Sequence, residues 1–116
     1  MNWIDVCGTA DVPQDSGTTV LVHGRQIAIY NFTSLGRWYA TDNRCPHWGE
    51  EVLGRGLLGE KQGKPWVACP MHKRRFSLEN GSCHTGDVPP VQTWPIRIVG
   101  QRVELDFTPT VHEVTP

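Results

Sequence analysis

Cys45-Pro46-His47 and Cys69-Pro70-Met71-His72 are the two stretches on which the reading of this chain turns. Each box offers one thiolate and one imidazole, so together they supply two sulfur and two nitrogen donors. Two-iron, two-sulfide centres exist in which two histidines replace two cysteines on one of the irons. A two-loop clamp for such a centre needs one ligand of each kind per loop, because each loop must reach both irons. The same four residues also compose a tetrahedral Cys2His2 zinc set. Zinc fingers, however, pair Cys with Cys and His with His at wider spacings. Here each box mixes the types, and the first leaves a single residue between its donors.

The bulk of the chain restricts what surrounds these boxes. At 116 residues it is one domain, with room for a modest core but not for a catalytic domain plus a separate carrier. Hydrophobic residues make up 38% and the formal net charge is -1, a balance that points away from disorder, nucleic acid and a polybasic membrane tether. No apolar run approaches the roughly 18 residues of a membrane span. The N-terminus, with Asp5 early, lacks the pattern of a signal peptide, so a cytoplasmic location is expected. There is no glycine fingerprint for nucleotide binding and no acid–base constellation, so no catalytic residue is assigned. With Cys45 and Cys69 given to metal, Cys7 and Cys83 remain, and nothing local calls for a bridge between them.

Glycine and proline punctuate the chain throughout. Between them lie runs rich in Val, Ile, Tyr, Trp and Thr: Thr18–His23, Gln26–Phe32, Arg37–Thr41, Pro65–Ala68, Arg75–Leu78, Val91–Val99 and Arg102–Phe107. His23-Gly24-Arg25-Gln26 and Val99-Gly100-Gln101-Arg102 read as hairpin turns. One helical turn is expected near Gly49–Leu53, and no internal repeat or linker is visible. The fold class is therefore all-β, built of small antiparallel sheets. Both boxes fall just after strand-like runs, where turns begin and where a rigid scaffold can hold ligands near the surface.

The stretches Asp42-Asn43-Arg44-Cys45-Pro46-His47 and Cys69-Pro70-Met71-His72-Lys73-Arg74-Arg75-Phe76-Ser77-Leu78, followed by Gly81-Ser82-Cys83, resemble the Rieske 2Fe–2S superfamily. Three further stretches are similar to the small-subunit family of assimilatory NAD(P)H-dependent nitrite reductases. They are Val52-Leu53-Gly54-Arg55-Gly56-Leu57-Leu58-Gly59-Glu60, the opening Trp3-Ile4-Asp5-Val6-Cys7 and the closing Trp94-Pro95-Ile96-Arg97-Ile98; His72-Lys73 in place of His-Gly points the same way.

The resemblance implies a Rieske-type fold, with a cluster-binding subdomain over residues 44–86 inserted into a β base of residues 1–43 and 87–116. It implies that Cys45 and Cys69 hold the inner iron of a 2Fe–2S cluster and His47 and His72 the outer one. The implied role is electron transfer to a large subunit carrying flavin, a 4Fe–4S cluster and sirohaem, which reduces nitrite to ammonium. The alternatives are a free-standing Rieske ferredoxin delivering electrons to an oxygenase and a structural subunit without redox function. Respiratory-type members carry an extra Cys in each loop that forms a disulfide; the matching positions here hold Glu50 and Met71, so no such bridge is expected.

Two neutral imidazoles in place of two thiolates leave an oxidised core uncharged rather than dianionic, which raises its potential into the range of roughly -150 to +300 mV. High-potential members place a serine hydroxyl near the second box. Here no hydroxyl follows His72 until Ser77, so the lower part of that span is expected. Pro89-Pro90 resembles the proline loop that covers the cluster. Trp48 is a candidate shield for the cluster edge, and Lys73, Arg74 and Arg75 are candidates for steering an acidic partner.

Overall fold

The computed structural model describes residues 2–47, 49–71 and 73–107. Within them the chain is all-β. Nine strands form three three-stranded antiparallel sheets: β1 (Trp3–Gly8), β9 (Arg102–Asp106) and β8 (Ile96–Val99) in that order; β2 (Ser16–Val22), β3 (Arg25–Phe32) and β4 (Arg37–Asp42); and β5 (Leu57–Lys61), β6 (Lys64–Ala68) and β7 (Arg75–Ser77).

The strand that organises the molecule is β3. Its Ile27, Ala28, Ile29 and Tyr30 are all fully buried. Successive residues of a strand point to opposite faces, and here each face meets its own core. Ala28, Tyr30 and Phe32 join Cys45, Leu53, Val67, Cys69, Phe76 and Leu78 on one side. Ile27 and Ile29 join Val12, Ala40, Trp94, Val103 and Leu105 on the other. One strand thus forms a shared wall, with both boxed cysteines packed on the first side and the β1–β9–β8 sheet on the second.

The segment between the boxes is moored to this wall by Asn43, which is 3% exposed. Its backbone oxygen accepts from Leu53 N at 2.9 Å, its side-chain oxygen accepts from Gly54 N at 2.7 Å, and its amide donates to Gln26 Oε1 at 3.0 Å. Leu53–Arg55 forms a short 3-10 turn there. A side chain at Gly54 would bring a Cβ within 2.6 Å of Thr19 Oγ1 on β2, so only glycine permits this close approach. The single helical turn expected over Gly49–Leu53 therefore lies a few residues later, where the asparagine anchors it.

The hairpins follow the expected glycines. Val22 pairs with Arg25 across His23-Gly24, both at positive φ, and Val99 pairs with Arg102 across Gly100-Gln101. A third hairpin, Lys61 to Lys64 across Gln62-Gly63, follows the same rule but was not anticipated. Two strands were also missed, β1 and β5. The expected run Val91–Val99 is cut to Ile96–Val99: Pro95 lacks an N–H for the ladder, and ahead of it only Thr93 bridges, to Thr41. No described helix is long and apolar enough to cross a membrane.

Candidate metal centre

Both boxes begin three or fewer residues beyond a strand end, Cys45 after β4 and Cys69 directly after β6. From there the two loops are built by the same bonds. Cys45 N donates to Glu50 O at 2.8 Å, and Gly49 N donates back to Cys45 O at 2.7 Å; Cys69 N donates to Arg74 O at 2.8 Å, and Lys73 N to Cys69 O at 2.7 Å. Each loop is clasped at its neck by a strand-like pair, Arg44 with Glu51 and Ala68 with Arg75. Each contains one turn of the i to i+4 kind, closed by a residue in the left-handed region, Gly49 at φ +83° and Lys73 at φ +58°. The chain thus contains a structural repeat that the sequence reading, which found none, did not see.

The donors are graded by depth. Cys45 is 0% exposed and Cys69 1% exposed, both inside the first core. His47 is partly buried, with its Nδ1 shielded from solvent. His72 and Trp48 lie outside the described residues. No disulfide joins any of the four cysteines, in keeping with Glu50 and Met71 at the positions where a loop bridge would sit. Among the described residues no three His, Cys, Asp or Glu side chains gather about a single ion. Two buried thiols on matched loops, with an imidazole nearer the surface, fit a centre entered by sulfur from the core side and by nitrogen from outside. That is the donor chemistry of a 2Fe–2S cluster with mixed ligands.

The surroundings hold the two loops in place. Tyr30, fully buried on β3, hydrogen-bonds to Thr41 Oγ1 at 3.0 Å, and Thr41 directs its own proton to Asp42 O at 2.9 Å, which leaves Tyr30 as the donor. Burial pushes the Tyr30 hydroxyl well above the ordinary phenol range, and the neighbouring Cys69 adds to this, so it stays protonated. Beyond the second loop, Arg74 reaches Asp87 at 2.8 Å and Thr85 Oγ1 at 3.3 Å. Thr85 also bonds to Asp87 and lies 3.1 Å from Cys83 Sγ. The Thr85 hydroxyl, then the charge of Arg74, hold the Asp87 carboxyl below the usual carboxylate range. Asp87 thereby ties the 85–87 segment to the second loop.

Pro89 and Pro90 line an open groove of about 810 Å³ together with Pro46 of the first loop, which places the proline pair beside that loop. Ser77 Oγ accepts from the backbone of Glu79 and Asn80 in its own turn at 3.2 and 3.4 Å. Arg74 is drawn onto Asp87 and so is not a steering group, whereas Lys73 and Arg75 stay exposed. Trp94 is buried, whereas Trp66 is only half-buried, beneath the Arg75 guanidinium at 4.2 Å.

With this geometry in view, the chain can be set beside known proteins. A family model described as the Rieske-like [2Fe–2S] domain matches residues 2–106. The nitrite reductase (NADH) small subunit of Escherichia coli K12 is 33% identical over 103 residues, 89% of this chain and 95% of that protein. The ferredoxin component of the naphthalene 1,2-dioxygenase system of Pseudomonas aeruginosa is 33% identical over 107 residues, 91% of this chain and 96% of that one. Among solved structures, the nitrite reductase [NAD(P)H] small subunit from Erwinia carotovora superposes with a TM-score of 0.78 at 29% identity, covering 93% of this chain and 83% of its own.

Proposed function

Because the chain belongs to the Rieske-like [2Fe–2S] domain family, we propose that Cys45, His47, Cys69 and His72 hold its cluster and that it carries electrons as the small subunit of an assimilatory NAD(P)H-dependent nitrite reductase. When bound, the cluster supplies a one-electron couple. The chain's own residues do the rest: Cys45 and Cys69 fix the group from the core, and partly exposed His47 marks the side on which a partner exchanges electrons. We place residues 44–86 as the cluster-binding subdomain on a base of 1–43 and 87–116; the confinement of β5, β6 and β7 to residues 57–77 supports this division.

The observation that carries the reading is the likeness to the Escherichia coli small subunit, which spans 89% of this chain and 95% of that protein. The partner is accordingly a large subunit holding flavin, a 4Fe–4S cluster and sirohaem, where nitrite is reduced to ammonium, and the place of action is the cytoplasm. Reconstitution tests this. Cluster-loaded protein added to the large subunit should raise NAD(P)H-dependent ammonium formation from nitrite and co-elute with it; no effect and no association would contradict the assignment. A second reading, a ferredoxin serving an oxygenase, has its own support in the equal likeness to the naphthalene-system ferredoxin. It would be preferred if the reduced protein passed electrons to an oxygenase component but not to the nitrite-reducing subunit.

A further inference from the structure

Among the described residues, the β5–β6–β7 sheet is covered on one face only. Leu58, Val67 and Phe76 form a cross-strand row whose members pack on the first core. Leu57, Ala68 and Arg75 form the next row, and side chains of adjacent rows point to opposite faces. Trp66, two residues from Ala68, shares that outer face. This face borders an open hollow of about 430 Å³ beside the second ligand loop. Its floor is apolar. Leu57 is 72% exposed, and Met71, next in the chain to the hollow's Pro70, is 58% exposed. A lone exposed leucine needs no cover, but Leu57, Trp66 and Ala68 together line one side of the hollow as a continuous apolar face, which marks an interaction site.

The rim is charged with one sign. Arg55, Lys73 and Arg75 all line the hollow, and no carboxylate does. Among the described residues none of the three is in an ion pair, whereas Arg74, between two of them in sequence, is neutralised by Asp87. Arg75 is held in place over the Trp66 ring. Pro70 and Lys73 belong to the second loop and Arg75 follows it directly, so the hollow adjoins that loop.

We infer that this face, Leu57 and Trp66 ringed by Arg55, Lys73 and Arg75, is the docking surface for the redox partner, and that the partner presents an apolar centre with a carboxylate rim. Charge complementarity selects this occupant. In a two-fold contact between copies of this chain the same patch faces itself, setting three cations against three. A surface carrying carboxylates gains steering during encounter and apolar burial on contact. The inference rests on the reading above that such a partner exists.

The test uses full-length, cluster-loaded protein and the large nitrite-reducing subunit. Arg55→Glu and Leu57→Ser alter the face at residues outside both ligand loops; Leu21→Ser, at an equally exposed leucine on β2, is the control. Arg55→Glu should slow association about tenfold at low salt, with the deficit shrinking as ionic strength rises. Leu57→Ser should weaken the complex about tenfold, and Leu21→Ser should leave it unchanged. All three should keep the wild-type visible spectrum and midpoint potential. Wild-type binding that both face variants retain would overturn the docking surface while leaving the partner reading intact. Failure of the wild type itself to bind would remove that reading and the surface with it. A wild-type dimer abolished by Leu57→Ser would likewise overturn the choice of occupant.

Discussion

The loop over residues 45–50 and the loop over 69–74 share one backbone, bond for bond, yet differ in two respects that matter. The imidazole comes two residues after Cys45 but three after Cys69. The left-handed residue that closes the turn is Gly49 in the first loop and Lys73 in the second. The backbone repeat delivers two buried thiols in equivalent positions, and the side chains alone break the equivalence. The asymmetry of the proposed ligand set is thus written in residue order, not in loop shape.

Removing a thiol should have the largest effect. Cys45→Ser and Cys69→Ser should each abolish cluster retention, with iron and acid-labile sulfide falling to background, because in the proposed ligand set each loop contributes one of the two core-side thiolates. Retention in one variant but not the other would show that the loops are not equivalent on that side. Next comes the imidazole. His72→Cys should lower the midpoint potential by on the order of 100 mV, since a thiolate makes the core more negative. An unchanged midpoint would remove His72 from the ligand set. The wild-type midpoint itself should fall in the lower part of the Rieske span, because the Ser77 hydroxyl is engaged in its own turn; a value above about +100 mV would contradict this.

Smaller effects probe the closing residue. A left-handed conformation costs a non-glycine residue roughly 1–2 kcal/mol. Gly49→Ala should therefore destabilise the protein by about that much, with the added Cβ also crowding the Arg44 guanidinium, 3.1 Å away. Lys73→Gly should change stability by less than about 1 kcal/mol, in the stabilising direction, because relief of strain is partly offset by the greater freedom of glycine in the unfolded chain. Thermal melts of the loaded protein would decide, and equal responses at the two positions would sink the comparison.

The smallest effect lies in the sheet that carries neither loop. The Arg102 guanidinium, bonded to both Asp5 oxygens at 2.8 to 3.1 Å, holds that carboxyl below its ordinary value. A carboxyl depressed in the folded state adds stability above its unfolded pKa of roughly 3.9, and this is lost as pH falls through the folded value. Asp5→Asn should remove a slight step from the acid limb of the melting profile while leaving the visible spectrum untouched; an altered spectrum would tie the two regions together.

Much of the fold could be read from the residues, for definite reasons. The strand Arg25–Phe32 announces itself because Ile, Ala, Ile and Tyr are buried on both faces and leave no polar interruption. Strand β1 was missed because Trp3–Gly8 alternates weakly and its partner β9 lies at the far end of the chain. Strand β5 was missed because Gly59 looks like a breaker; in the structure a Cβ there would strike the Trp66 ring, so the glycine admits its cross-strand neighbour. The boxes were plain, but the loop repeat was not, since only Cys-Pro is common to both and the shared hydrogen bonds are all backbone. The fate of Arg74 was equally hidden, because its carboxylate, Asp87, is brought to it by folding rather than by sequence.

If two thiolates and two imidazoles share one binuclear centre, the EPR spectrum of the dithionite-reduced protein will carry the mark of that mixed ligation. Mixed nitrogen and sulfur ligation should give a rhombic signal whose average g lies below that of an all-thiolate cluster. A silent spectrum from protein devoid of iron and labile sulfide, or the g average of four-thiolate ligation, would contradict it.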